Sequence, residues 1–148
     1  MIRAFDSLLL RVVLAPLVAA MQLFAFYVLL HGHYSPGGGF QAGILLGASM
    51  ILPRLARGQP PGRLALTPGG AMILTAVGLL LFTGLGAVVM LGGAPMLDYG
   101  ALPLGGELRY RRSLAILLIE VGVTLAVAGA MLAIFFALAG RLGGEPRR

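Results

Sequence analysis

The chain has 148 residues, of which 59% are apolar and 11% charged, against roughly 45–50% and 25% in a soluble domain. It has no cysteine, which excludes disulfides, thiolate metal sites and iron–sulfur ligation. The net charge is +6, and all eleven basic residues are arginine. In so apolar a chain this excess reports topology and contact with anionic lipid rather than nucleic acid.

Four apolar runs are long enough to cross a bilayer. The expected fold is therefore all-α, an integral membrane bundle of four transmembrane helices with short loops. Residues 1–148 form a single membrane domain with no room for a soluble catalytic module. The spans fall at about 8–30, 36–55, 70–91 and 113–138. Arg3 ahead of an apolar run and the small residues Val18-Ala19-Ala20 raise the alternative of a cleaved leader. The run continues through Leu30, however, which is the length of a span.

In the first span Arg11 can snorkel to the near surface, Pro16 predicts a kink, and the amide of Gln22 favours a protein-facing side. His31 to Gly47 then reads HGHYSPGGGFQAGILLG, a tight turn opening the second helix. Pro36 suits a first helical turn, where its missing N–H has no partner to lose. Gly39, Gly43 and Gly47 recur every four residues and share one face, a bare backbone ridge that another membrane helix can approach closely. Gly37 and Gly38 supply conformational freedom at the helix mouth.

The second span is expected to end at Pro53-Arg54. An irregular, exposed linker from Arg54 to Gly69 follows, with Arg57, Arg63, Pro60-Pro61 and Pro68. In the third span Thr75 and Thr83 can bond back to their own helix. A loop from Gly92 to Arg112 carries Asp98, Glu107, Arg109, Arg111 and Arg112, and is long enough to lie on a neighbouring protein or the membrane surface. The N-terminus, middle linker and tail carry eight arginines, and the two opposite loops carry none and three. By the positive-inside rule the termini and middle linker are cytoplasmic, and the glycine turn faces outward.

Glu120 is the one carboxylate well inside a predicted span. A charge at such depth costs roughly 2.5–3.5 kcal/mol, so it should face protein or water. Thr124 lies one turn on, near the same face as Ser113, Ile116 and Ile119. Two readings stay open for Glu120. It handles protons or cations, or it is an internal clip, protonated or paired with Arg109 or Arg112. His31 and His33 form a pair without a clear third ligand, so a hydrogen-bonded surface histidine is favoured over a metal site, with His33 as a proton entry behind it. PGGGFQAG lacks both the preceding strand of a dinucleotide fingerprint and the lysine of a P-loop. Asp6, Asp98, Glu107 and Glu145 read as solvated charges. No catalytic, cofactor-binding or metal set converges, which points away from an enzyme.

GHYSPGGGFQAG, from Gly32 to Gly43, resembles the signature of the B subunit of Mrp/Mnh-type multisubunit Na⁺/H⁺ antiporters. ELRYRRSLAILLIEVGVTLAVAGAML, from Glu107 to Leu132, is similar to that family's final helix, with its arginine lead-in and Glu-x-Gly-Val core. The first motif rests on His33, Pro36, Gly37, Gly38, Gly39, Phe40 and Gly43, and the second on Glu120 and Gly122. Tyr34 departs mildly from the family's polar residue. The resemblance implies a small non-enzymatic subunit, without a cofactor, of a hetero-oligomeric complex in the bacterial cytoplasmic membrane. Its implied partners are large antiporter-like subunits, membrane lipid, and the transported Na⁺ and H⁺. Related B-type subunits of membrane-bound hydrogenase or respiratory complexes are the alternative host. The ion-pathway candidates are then Glu120, Thr124 and His33, and the packing motif is Pro36 to Phe40 with Gly43 and Gly47.

Overall fold

The computed structural model describes residues 8–32, 38–57, 66–96, 98–102 and 105–142. Helix α1 is Leu8–His31, α2 is Gly38–Arg57, α3 is Pro68–Leu91 and α4 is Leu108–Leu142, with a short 3-10 turn at Tyr99–Ala101. All four helices are long and apolar enough to cross a membrane. They stand as a row in which α1 packs on α2, α2 on α4, and α4 on α3. The last helix in sequence is thus central in space. The outer helices α1 and α3 leave side chains such as Leu23, Leu80 and Leu91 exposed, as a lipid-facing surface should.

Apolar side chains gain little by leaving lipid for one another, so membrane helices cohere through close backbone approach and interhelical hydrogen bonds. Here α4 supplies two small-residue seams. Toward α2, a Cβ built on Gly43 would fall 2.7 Å from Val127 Cβ and 2.9 Å from Thr124 O, and one on Gly47 3.0 Å from Met131 Sδ. Toward α3, a Cβ on Gly78 would fall 2.5 Å from Gly122 O, and one on Gly129 2.6 Å from Thr75 N. The helix laid along the Gly39–Gly43–Gly47 ridge is therefore α4 of the same chain.

Several boundaries differ from those read in the sequence. Helix α2 does not stop at Pro53 but runs through it to Arg57. The proline removes one bond, to the carbonyl four residues back at Ser49, and packing in the bundle tolerates that loss. Arg54 is buried rather than exposed in a linker. It donates from Nη1 to Met50 O at 2.6 Å and from Nη2 to Leu66 O at 3.0 Å. Its guanidinium also lies 5.3 Å from the Phe136 ring centroid, a cation–π contact. One side chain thereby joins α2, the approach to α3, and α4. Pro68 and Gly69 belong to α3, capped by Thr67 Oγ1, which accepts from Gly70 N at 3.1 Å. Thr75 and Thr83 donate to Ala71 O and Leu79 O at 2.9 and 2.8 Å.

The connection from α3 to α4 is shorter than Gly92–Arg112, because α4 begins at Leu108 and Arg109, Arg111 and Arg112 are helical. Part of it packs on its own chain. Leu102 is buried with Val89 of α3 and Ala115 of α4, and Tyr99 and Ala94 pack against them. Asp98 caps the 3-10 turn by accepting from Gly100 N at 3.3 Å. Gly93 and Gly106 hold φ of 81° and 100°, in the left-handed region that favours glycine.

Gly43→Leu should separate α2 from α4, while Gly84→Ala, whose new methyl meets nothing within 4 Å, should be silent. Thermal unfolding in detergent should show a loss of roughly 1–3 kcal/mol or more for the first and no change for the second.

Candidate functional site

The first turn of α2 meets α4 at Glu120. The small residues at this junction are there because nothing larger fits. A Cβ on Gly39 would lie 2.9 Å from Glu120 Cα, and one on Gly38 would lie 2.6 Å from Glu120 Oε1. From the end of α1, a Cβ on Gly32 would lie 2.7 Å from Glu120 Oε1 and 2.5 Å from Gly38 Cα. Three glycines from two helix ends thus form a cup of bare backbone around one carboxyl group, with Oε2 a buried atom. Gly38 is therefore required for space. It opens α2 without a positive φ, contrary to the conformational role expected of it.

Thr124, one turn along α4, is buried. Its hydroxyl lies 3.0 Å from Gly39 O and 2.8 Å from Glu120 O, so one proton is shared between two carbonyls. The first of these bonds ties α4 to α2. Its oxygen lone pairs remain able to face a cation, but its proton is committed to packing. Phe40 and Gln41 point away from α4 and are exposed.

The remaining candidates scatter. His31 is exposed, donates from Nδ1 to Tyr27 O at 3.1 Å, and stacks on the Tyr27 ring with centroids 4.2 Å apart. His33, Tyr34, Pro36 and Gly37 lie outside the described residues, as do Arg3, Asp6, Pro60, Pro61, Arg63 and Glu145. Arg112 turns its Nε to within 3.0 Å of the Cβ position at Gly100, on the α3 side of α4. Arg109 lies eleven residues above Glu120, about 16 Å along the helix. Neither of these arginines is placed as the expected clip. Among the described residues no three His, Asp or Glu side chains cluster as a metal site would need.

Sequence reading missed how Glu120 meets its surroundings. The sequence sets the span's start at about 113, whereas α4 begins at Leu108, twelve residues before Glu120. Gly32 carried the missing signal. It precedes the ridge, stands out of its four-residue register, and belongs to the cup.

Replacing Thr124 by Val should weaken the α2–α4 contact by about 0.6–1.7 kcal/mol, the range of interhelical hydrogen bonds in membranes, while Ser should retain most of it. Unfolding of the purified protein in detergent would measure both.

A family model described as a domain related to the MnhB subunit of Na⁺/H⁺ antiporter matches residues 9–133. No curated protein and no solved structure gives a significant match to the chain.

Proposed function

Because the chain belongs to the family of domains related to the MnhB subunit of Na⁺/H⁺ antiporters, we propose that it is a small membrane subunit of a multisubunit Na⁺/H⁺ antiporter. It packs against the large antiporter-like subunits, and Glu120 serves as its proton- or cation-handling group. The seat of Glu120 carries this reading. A carboxyl group among helices is costly, and here three glycines make room for it where two helix ends meet α4. A residue kept merely as filler at a helix crossing would be apolar.

In the same reading, Thr124 holds α2 and α4 in register so that the cup keeps its shape. The complex sits in the bacterial cytoplasmic membrane, with the termini and the α2–α3 connection on the cytoplasmic side and the α1–α2 turn outside. The arginine distribution supports this orientation. His33 stands as a proton-entry candidate beside the turn.

The second reading is a purely structural B-type subunit, in this complex or in a related hydrogenase or respiratory complex. The commitment of the Thr124 hydroxyl to two backbone carbonyls favours it.

Glu120→Gln separates the two. It keeps the shape and removes the titrating proton. In an assembled complex, Na⁺-dependent proton exchange in vesicles should fall about tenfold or more, a barrier change of about 1.4 kcal/mol. Full exchange with normal assembly would leave the structural reading.

A further inference from the structure

Hydroxyl groups deep in the spans are satisfied by the chain itself. Ser49 donates to Leu46 O at 2.7 Å, Thr75 and Thr83 donate to carbonyls of their own helix, and Thr124 donates across to α2. Gln22 differs. It stands at the centre of the first span, ten residues after Val12 and nine before His31, and its carboxamide has no hydrogen-bond partner among the described residues. Either end of the span is about 14–15 Å away at 1.5 Å per residue, roughly half the thickness of the hydrocarbon. A glutamine side chain is too short to reach the interface from there, and lipid tails offer an amide nothing to bond.

The direction of Gln22 follows from spacing. Leu14, Ala25 and Leu29 are buried and mark the side of α1 that packs on α2. Gln22 is turned about 60° from Ala25, at the border of that side, and is half-buried. Beyond it on the same flank come Ala15, Ala19 and Phe26, all exposed. Positions 15, 19, 22 and 26 are spaced by fours and threes, as in a seam against another helix. The two alanines leave the backbone approachable, which lets a neighbour come close enough to reach the amide. No described part of this chain covers the strip.

A second copy of the chain fits it poorly. A two-fold pair would set Gln22 against Gln22, but it would also bring the two Arg11 positions, about three turns nearer the N-terminus, to one level. Like charges brought face to face oppose association. The strip borders the α1–α2 interface, so a neighbour seated on it adds to the row at its α1 end.

We infer that Ala15, Ala19, Gln22 and Phe26 form the docking strip for a transmembrane helix of another subunit, one that presents a hydrogen-bonding side chain opposite Gln22 at mid-membrane depth. This rests on the reading of the chain as a subunit of a larger complex. It adds which face meets the neighbour, and by what chemistry.

Two phenylalanines of matching exposure provide the test. Phe26, on the strip, is 53% exposed, and Phe24, turned about 160° from it, is 55% exposed. Each is replaced in turn by the photo-crosslinking analogue p-benzoylphenylalanine in the purified, assembled complex. Position 26 should form an adduct with another subunit, identified by mass spectrometry, and position 24 little but lipid adducts. Gln22→Leu keeps the volume and breaks no bond within the chain, so unfolding of the purified protein in detergent should be unchanged. Recovery of the other subunits with a tagged Gln22→Leu chain should fall about threefold or more, as for loss of one interhelical hydrogen bond. Equal adduct yields at 24 and 26, lipid adducts alone at 26, an adduct between two copies of this chain, or full recovery with Gln22→Leu would each overturn the strip. An adduct with a subunit of another kind of complex would instead remove the antiporter assignment and leave the strip standing.

Discussion

Everything in this bundle depends on how closely two backbones can approach α4. Lipid tails are as apolar as leucine, so a hydrophobic face gives membrane helices little reason to choose one neighbour over another. Choice comes from surfaces that fit at backbone distance. Helix α4 has two of these on opposite sides, and each contains glycine on one helix against a carbonyl or small residue on the other. Dispersion contacts over two such seams, with the Thr124 hydroxyl bonded across one of them, fix α2, α4 and α3 in register. Helix α1 packs mainly on α2 and meets α4 far less extensively, so it is held largely at one remove.

Much of this was legible in the sequence, for identifiable reasons. Four uninterrupted apolar runs without strand periodicity leave a helical membrane bundle as the reading, and the structure has that fold. The family named from the GHYSPGGGFQAG segment is the one that the comparison finds. Thr75 and Thr83 bond back as their chemistry predicts. What failed was punctuation. Pro53 and the arginine cluster before Ser113 read as ends of spans, since proline breaks isolated helices and charge ends hydrophobic runs. Helices continue through both: Arg54 finds carbonyl acceptors and an aromatic face within the bundle, and Arg109, Arg111 and Arg112 lie in the first turns of α4. Local residue type reports where a helix would stop alone, not where its neighbours carry it.

The surroundings of Glu120 were illegible for a related reason. Glycine at 32 and at 38 looks like turn chemistry in one dimension. In three dimensions both positions face the same carboxyl group from different helix ends. A sequence shows that a residue is small, but not what its smallness makes room for.

The row order α1–α2–α4–α3 also bears on how the subunit is made. The bare edge of α2 has no mate in its own chain until the last helix has been synthesised. The first hairpin must therefore wait in the bilayer with its glycine seam uncovered, while α3 enters some distance away. Closing the molecule means sliding the final helix between two segments already in place. Biogenesis of this subunit thus ends on its most demanding fit, and a nascent chain cut short before α4 would present the insertion machinery with a hairpin that has nothing of its own to close upon.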